Sequence, residues 1–321
     1  MGGTTATPAL IYHECYSDLV LPSHHRYPIG KYRALYQRLL AAGVPATAFV
    51  HDIPPASRAQ LRTVHSAEYI DLLCSGAIDA KAMRRIGFPW SEFLIQRSLQ
   101  SCGGTIATVQ AALDCGLALH LSGGYHHAFA NEGAGFCLFN DLAIAASVAL
   151  HQVDKVLIFD CDVHQGDGTA LIFTDEPRVI TASLHGEKNF PARKQQSSWD
   201  IGLATHCDDA QYLTAVRESL DYLLALHQPD LVIYDAGVDI HVADDLGLLH
   251  VSTAGVRARD EYVLSRCQQQ GVPVAAVIGG GYQRDVHALT DVHLQLFAAA
   301  FSSREPRWTA AIDAQIASRH A

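Results

Sequence analysis

The 321-residue chain has eight cysteines, at 15, 74, 102, 115, 137, 161, 207 and 267, but no Cys-x-x-Cys pair among them. That spacing excludes a zinc ribbon and a redox dithiol, and it reads as reduced, mostly buried thiols of a cytoplasmic protein. No apolar run approaches the roughly 18 residues needed to span a bilayer. The start, Met1-Gly-Gly-Thr-Thr-Ala-Thr-Pro8, lacks the basic flank and apolar stretch of a secretory signal, and Ala6 stands where myristoylation expects Ser or Thr. There is no basic block either. Lys and Arg number 23 against 33 Asp and Glu, a net charge of −10, which argues against a dedicated nucleic-acid binder and makes a cationic substrate the easier partner. Repeats, low-complexity tracts and linkers are also missing, so one domain over 9–321 is expected behind a tail at 1–8.

With 49% hydrophobic residues the chain can bury a substantial core. Ala9 to His13 reads as a first strand. The loop Pro22-Ser-His-His-Arg-Tyr-Pro28 follows, with histidines and Arg26 that could face a cleft or solvent. Gly30 to Ala42 carries apolar residues at one helical face, and Ser57 and Ser66 cap two further helices, the second closed by Gly76. An irregular segment is expected up to Trp90, before Ser91 caps a long helix to about Asp114. Gly103 and Gly104 weaken that helix by roughly 1 kcal/mol each, so close packing against a neighbour is the expected compensation. From Leu117 onward, strands at 117–121, 155–159, 178–184, 230–234 and 273–278 alternate with helices near 140–151, 167–174, 209–227, 253–270 and 284–301. A last helix is expected over Thr309 to Arg319. The alternation predicts an α/β fold, a mainly parallel sheet with helices on both faces.

In such a sheet the carboxyl ends of the strands converge on one rim, where ligands bind. The segments after these strands are unusually polar or glycine-rich: Ser122-Gly-Gly-Tyr-His-His127, Asp160-Cys-Asp-Val-His-Gln-Gly-Asp-Gly168, Ser183-Leu-His185, Asp235-Ala-Gly-Val-Asp239 and Gly279-Gly-Gly-Tyr282. Asp160, Asp162 and His164 share strand parity. Alone, Asp162 reads as a cap or turn former. With His164 and Asp239 it makes a three-ligand oxygen and nitrogen set that leaves a position open for water and substrate. His126 and His127 could be structural, but a histidine oriented by a carboxylate serves as a general base, and Asp160 and Asp167 are the candidate partners. Tyr282 follows three glycines and could donate a hydrogen bond to an oxyanion. The glycine run lacks the lysine of a phosphate-binding loop.

These segments, together with Gly-Phe-Cys-Leu-Phe-Asn-Asp at 135–141, occur in the order found in the histone deacetylase superfamily, which the chain resembles over most of its length. The single Gln165 after His164 and His185-Gly-Glu-Lys-Asn-Phe190 are most similar to bacterial relatives of class IV deacetylases. The resemblance implies a single-domain, three-layer arginase/deacetylase fold, with zinc on Asp162, His164 and Asp239. It implies His127, paired with Asp167, as general base and then acid, His126, paired with Asp160, as electrostatic support, and Tyr282 polarising the amide carbonyl. Gly135 and Phe136 would line an acyl-lysine tunnel, with Phe190 opposite. A structural K+ or Na+ would involve Asp160, Asp162, His164, Ser183 and Leu184. Val242-Ala-Asp-Asp245 replaces the family's usual Gly-Asp-Arg, keeping Asp244 and removing an arginine.

The implied activity is hydrolysis of acyl groups, acetyl or longer, from lysine in peptides or proteins. Acylated polyamines or other small amides are the alternative substrates. A binuclear manganese hydrolase would need further acidic ligands, and a non-catalytic acyl-lysine binder would not need the full set of catalytic groups.

Overall fold

The computed structural model describes residues 7–319. Positions 1–6 of the expected tail lie outside the described residues. Of the rest of that tail, the Thr7 hydroxyl donates to Glu305 Oε1 at 3.1 Å and Pro8 is buried.

In chain order the elements are β1 (Ala9–Ile11), α1 (Lys31–Ala41), β2 (Phe49–Val50), α2 (Arg58–Leu61), α3 (Ala67–Ser75), α4 (Ala80–Ile86), α5 (Glu92–Cys115), β3 (Leu117–His120), α6 (Asp141–Ala149), β4 (Val156–Asp160), α7 (Asp167–Ile172), β5 (Val179–Gly186), β6 (Trp199–Leu203), α8 (Asp209–His227), β7 (Leu231–Asp235), α9 (Thr253–Gln270), β8 (Val274–Val277), α10 (Val286–Phe301) and α11 (Pro306–Arg319). The eight strands form one sheet in the order β2-β1-β3-β8-β7-β4-β5-β6, and every neighbouring pair is parallel.

Strand residues alternate between two cores because successive side chains leave opposite faces. Val156, Ile158, Ile233 and Ala275 pack with Val109, Ala112, Leu142 and Ala146 of α5 and α6. Leu157, Phe159, Tyr234 and Ala276 pack with Leu35, Leu220, Val256 and Phe297 of α1, α8, α9 and α10. Burial on both faces explains the near-continuous apolar strands. The sheet is therefore the rigid middle layer of three, with its carboxyl rim held in place from both sides.

Three elements depart from expectation. The segment read as irregular contains α4, whose N-cap Asp79 accepts from Lys81 and Ala82 N–H and whose C-cap Gly87 is left-handed. It was hard to read because only Met83 and Ile86 of its seven residues are buried. Strand β6 lies at the sheet edge with its first residues exposed, so it carries no apolar run, and β2 is only two residues long.

Helix α5 packs tightly, as its glycines require. A Cβ on Gly103 would collide with the Pro54 carbonyl oxygen, and one on Gly104 with His120 Nε2 and the Tyr16 hydroxyl. Gly103→Ala should therefore destabilise the protein by about 1–3 kcal/mol through overpacking, although alanine is the better helix former by about 1 kcal/mol. Urea unfolding checks this. An unchanged or raised midpoint would show that the Pro54 loop yields freely.

Candidate active site

Strands β3, β8, β7, β4 and β5 are contiguous, so the polar segments at their carboxyl ends meet on one stretch of rim, although Ser183–His185 lies within β5 and does not follow it. Asp160 at the end of β4 lies opposite Asp235 on β7 and Ser183 on β5, while Asp235 lies opposite Val277 on β8. Residues over a hundred positions apart are thereby brought to one level.

Asp162, His164 and Asp239 form a buried group whose candidate ligand atoms all lie within 4.8 Å of one another. His164 Nδ1 stands 3.0 Å from Asp162 Oδ1 and 3.1 Å from Asp239 Oδ2. Burial opposes a charge on this imidazole, yet its hydrogen bonds to the two carboxylates lift its pKa to about 10. Burial pushes the Asp162 carboxyl up, but His164 and the charge on His126 outweigh it and hold Asp162 well below the carboxylate range. Burial, then the Asp162 charge, raise Asp239 to about 7. The set is arranged to hold positive charge between two carboxylates. Backbone donors orient these groups: Gly280 N–H donates to Asp162 Oδ2 at 2.8 Å and Val163 N–H to Asp239 Oδ1 at 2.8 Å.

The two histidines beside this group are in opposite states. His126 Nδ1 is 2.7 Å from Asp160 Oδ2, and the Asp160 charge and hydrogen bond overcome burial to raise His126 well above the usual range. His127 Nδ1 is 2.6 Å from Asp167 Oδ1. Burial, then the charge on His126, pull His127 down to about 4 despite Asp167. At neutral pH His127 is thus a neutral imidazole, with Nε2 free to accept a proton while Nδ1 is held by Asp167.

Above this floor lies a cavity of about 380 Å³ lined by His127, Gly135, Phe136, His164, Phe190 and Tyr282, together with Arg85, Lys188, Asn189, Leu246 and Leu248. The Phe190 ring meets His127 edge-on at 4.8 Å, and the Phe136 ring lies 5.9 Å from that of Tyr282. A Cβ on Gly135 would strike the His127 ring, so this position has to be bare. Burial, then the charge of Asp162, raise the Tyr282 hydroxyl well above its usual range, so it remains a proton donor. Ser183 and Leu184 are buried within β5, where the Ser183 hydroxyl bonds His185 Nδ1 at 3.0 Å.

Several contributors escaped sequence reasoning. Asp235 is fully buried beside Asp160, and neither of its carboxylate oxygens has a hydrogen-bond partner. A second aspartate four residues before Asp239, ending a buried strand, was the available signal. Lys31, read only as part of a helix, is buried and donates from Nζ to the Gly279 carbonyl at 2.9 Å. Asp244 accepts from the Tyr282 N–H at 2.7 Å and so fixes the end of the Gly279–Tyr282 segment. The His24-His25-Arg26 segment lines a separate cavity of about 180 Å³ with Asp245 and Arg284. His25 stacks on Phe88, with its ring 5.8 Å from that of Phe136, a wall of the tunnel.

Comparison with known proteins shows the family and the fold. Residues 25–297 match the family described as the histone deacetylase domain. The chain is 47% identical over 293 residues to an uncharacterized protein of Picosynechococcus sp., covering 91% of this chain and 97% of that one. It is 30% identical over 292 residues to Histone deacetylase 2 of Arabidopsis thaliana, covering 86% and 75%. With the acetoin utilization protein AcuC of Bacillus subtilis it shares 29% over 303 residues, covering 85% and 76%. The crystal structure of a histone deacetylase homolog from Aquifex aeolicus superposes with a TM-score of 0.78 at 20% identity, covering 96% and 89%, and supports the fold.

The loop bearing the histidine pair is held by His65, which donates from Nδ1 to Phe129 O at 2.9 Å and accepts at Nε2 from Asn140 N–H at 3.0 Å. Asn140 in turn donates to the carbonyls of His126 and Ala128. Burial lowers His65 to about 4. The unfolded chain, with its histidine near 6.5, therefore takes up the proton first. The stability due to neutral His65 is complete above that value and is lost as pH falls toward 4. His65→Gln should consequently cost more at pH 8 than at pH 5, by about 2 kcal/mol, in urea unfolding. An equal cost at both values would contradict a neutral His65.

Proposed function

The chain belongs to the histone deacetylase family, and from that membership we propose a zinc-dependent amidohydrolase that removes acyl groups, acetyl or longer, from lysine side chains. Family membership supports deacetylase activity in general. The observation that carries the finer reading is a two-carboxylate, one-imidazole set at the foot of an apolar tunnel, beside an oriented neutral histidine and a tyrosine hydroxyl.

Zinc would be held by Asp162, His164 and Asp239. The donor set fits, since two carboxylates and an imidazole, all buried and with candidate ligand atoms within 4.8 Å of one another, match the ligand types of catalytic zinc sites that keep a position open. Bound there, zinc supplies Lewis acidity to the scissile carbonyl and to water. His127 Nε2 takes the proton from the attacking water, with Asp167 fixing the tautomer at Nδ1, and then returns it to the departing amine nitrogen. His126, kept cationic by Asp160, adds positive potential beside the developing oxyanion. Tyr282 donates its hydroxyl proton into a hydrogen bond to that oxyanion. Gly135, Phe136 and Phe190 exclude water along the aliphatic stem of the substrate. A structural K+ or Na+ would lie among Asp160, Asp162, His164, Ser183 and Leu184. An acylated lysine in a peptide or protein is the substrate, and the free cysteines are in keeping with action in the cytoplasm.

Two substitutions separate metal from chemistry. Asp239→Ala should lose both bound zinc and activity, with zinc per chain read by elemental analysis of the dialysed protein. Tyr282→Phe should keep its zinc and lose about 10²–10³-fold in kcat. Full activity in zinc-free Asp239→Ala, or an unchanged kcat in Tyr282→Phe, would overturn the assigned roles.

A further inference from the structure

The chain as a whole carries a net charge of −10, yet the cavity above the metal set is lined in the opposite sense. Its lining contains no aspartate or glutamate, but it does contain Arg85 and Lys188. Both are exposed, whereas His127, His164 and Asn189 of the same lining are buried. Exposure thus puts the two cations at the solvent end of the cavity and the reacting groups at its closed end.

Acidic side chains of the neighbourhood are engaged elsewhere. Asp244 accepts from the N–H groups of Tyr282, Leu246 and Gly247, and Asp245 pairs with Arg284 at 2.9 Å. The stem of Glu187 lies over Gly202 of the edge strand β6, where an added Cβ would stand 3.7 Å from it. Glu132 pairs with Arg85 at 2.8 Å and offsets part of that charge. Lys188 has no ion-pair partner among the described residues. Its segment is braced by Lys194, whose Nζ donates to the carbonyls of Asn189 and Pro191 on either side of Phe190.

We propose that Lys188, assisted by Arg85, is a specificity-determining residue that selects an acyl-lysine lying in an acidic stretch of polypeptide and disfavours acylated polyamines. The inference rests on the deacylase reading given above. Four methylenes separate the amide nitrogen of an acyl-lysine from its Cα, so with the acyl group at the closed end the neighbouring residues of the peptide lie at the solvent end. Carboxylates there meet Lys188 and Arg85. In an acylated polyamine a protonated amine follows a methylene stem of similar length, and its charge is brought to the same two cations. Screening over about 8 Å at physiological salt confines the selection to residues next to the acyl-lysine. The net charge made a cationic substrate the easier partner; the lining reverses that expectation at contact.

The test compares, on the zinc-loaded protein, two peptides with the same central acyl-lysine, one flanked by aspartates and one by arginines, and a diamine carrying the same acyl group. The aspartate peptide should have the highest kcat/KM, by about three- to tenfold over the arginine peptide as screened surface pairs allow, and mainly through KM. That gap should narrow in high salt and close or reverse in Lys188→Glu. Fluorescence anisotropy of the labelled peptides on zinc-loaded Tyr282→Phe should give the same order of affinity. Equal values for the two peptides, a preference for the arginine peptide or the diamine, or an aspartate preference that Lys188→Glu leaves intact would overturn the proposal. Selective binding of the aspartate peptide with no hydrolysis by wild type would strike the proposed activity and leave the role of Lys188 standing.

Discussion

Mutual repulsion among carboxylates taken out of water at one sheet rim is the constraint that the site is built around. Parallel strands in register put Asp160 and Asp235 next to each other, and the loops beyond add Asp162, Asp167, Asp239 and Asp244. Nearly every polar choice nearby answers that charge. His164 stands between Asp162 and Asp239, His126 meets Asp160, His127 meets Asp167, and backbone N–H groups cap Asp244. The glycines in these loops let backbone donors and carbonyls approach where a side chain would collide.

The same field separates the two adjacent histidines. Their rings lie 4.2 Å apart, yet His126 is biased toward the cation and His127 toward the neutral form. Each has a carboxylate on Nδ1, so the partner alone does not decide. His126 also feels Asp162 and Asp235, while His127 feels the charge of His126. Like-charge repulsion makes the second protonation unfavourable, which leaves one fixed positive charge and one base within a few ångströms.

Much of this was legible in the residues. The apolar runs of β3, β4, β7 and β8, their glycine and aspartate endings, and the caps at Ser66 and Ser91 placed the sheet and its rim. Strand parity grouped Asp160 with Asp162 and His164, whereas in the fold the chain leaves the sheet at Asp160, which turns to His126 instead. What stayed hidden depends on contacts between distant elements. Lys31 looks like any lysine at the start of an amphipathic helix until α1 is docked against the Gly279 loop. Asp235 looks like a strand terminator until its neighbours are seen to offer it nothing. The exposed edge strand β6 and the short α4 bury too little to announce themselves by pattern.

The central claim is hydrolysis of an acyl-lysine amide by this constellation. It is tested most directly by following release of the carboxylic acid from peptides whose lysine carries acyl groups of increasing length, with the zinc-loaded protein and a hydroxamate control. The account predicts turnover at one or more chain lengths, abolished by the hydroxamate. Zinc bound at one per chain with no release at any length would contradict it.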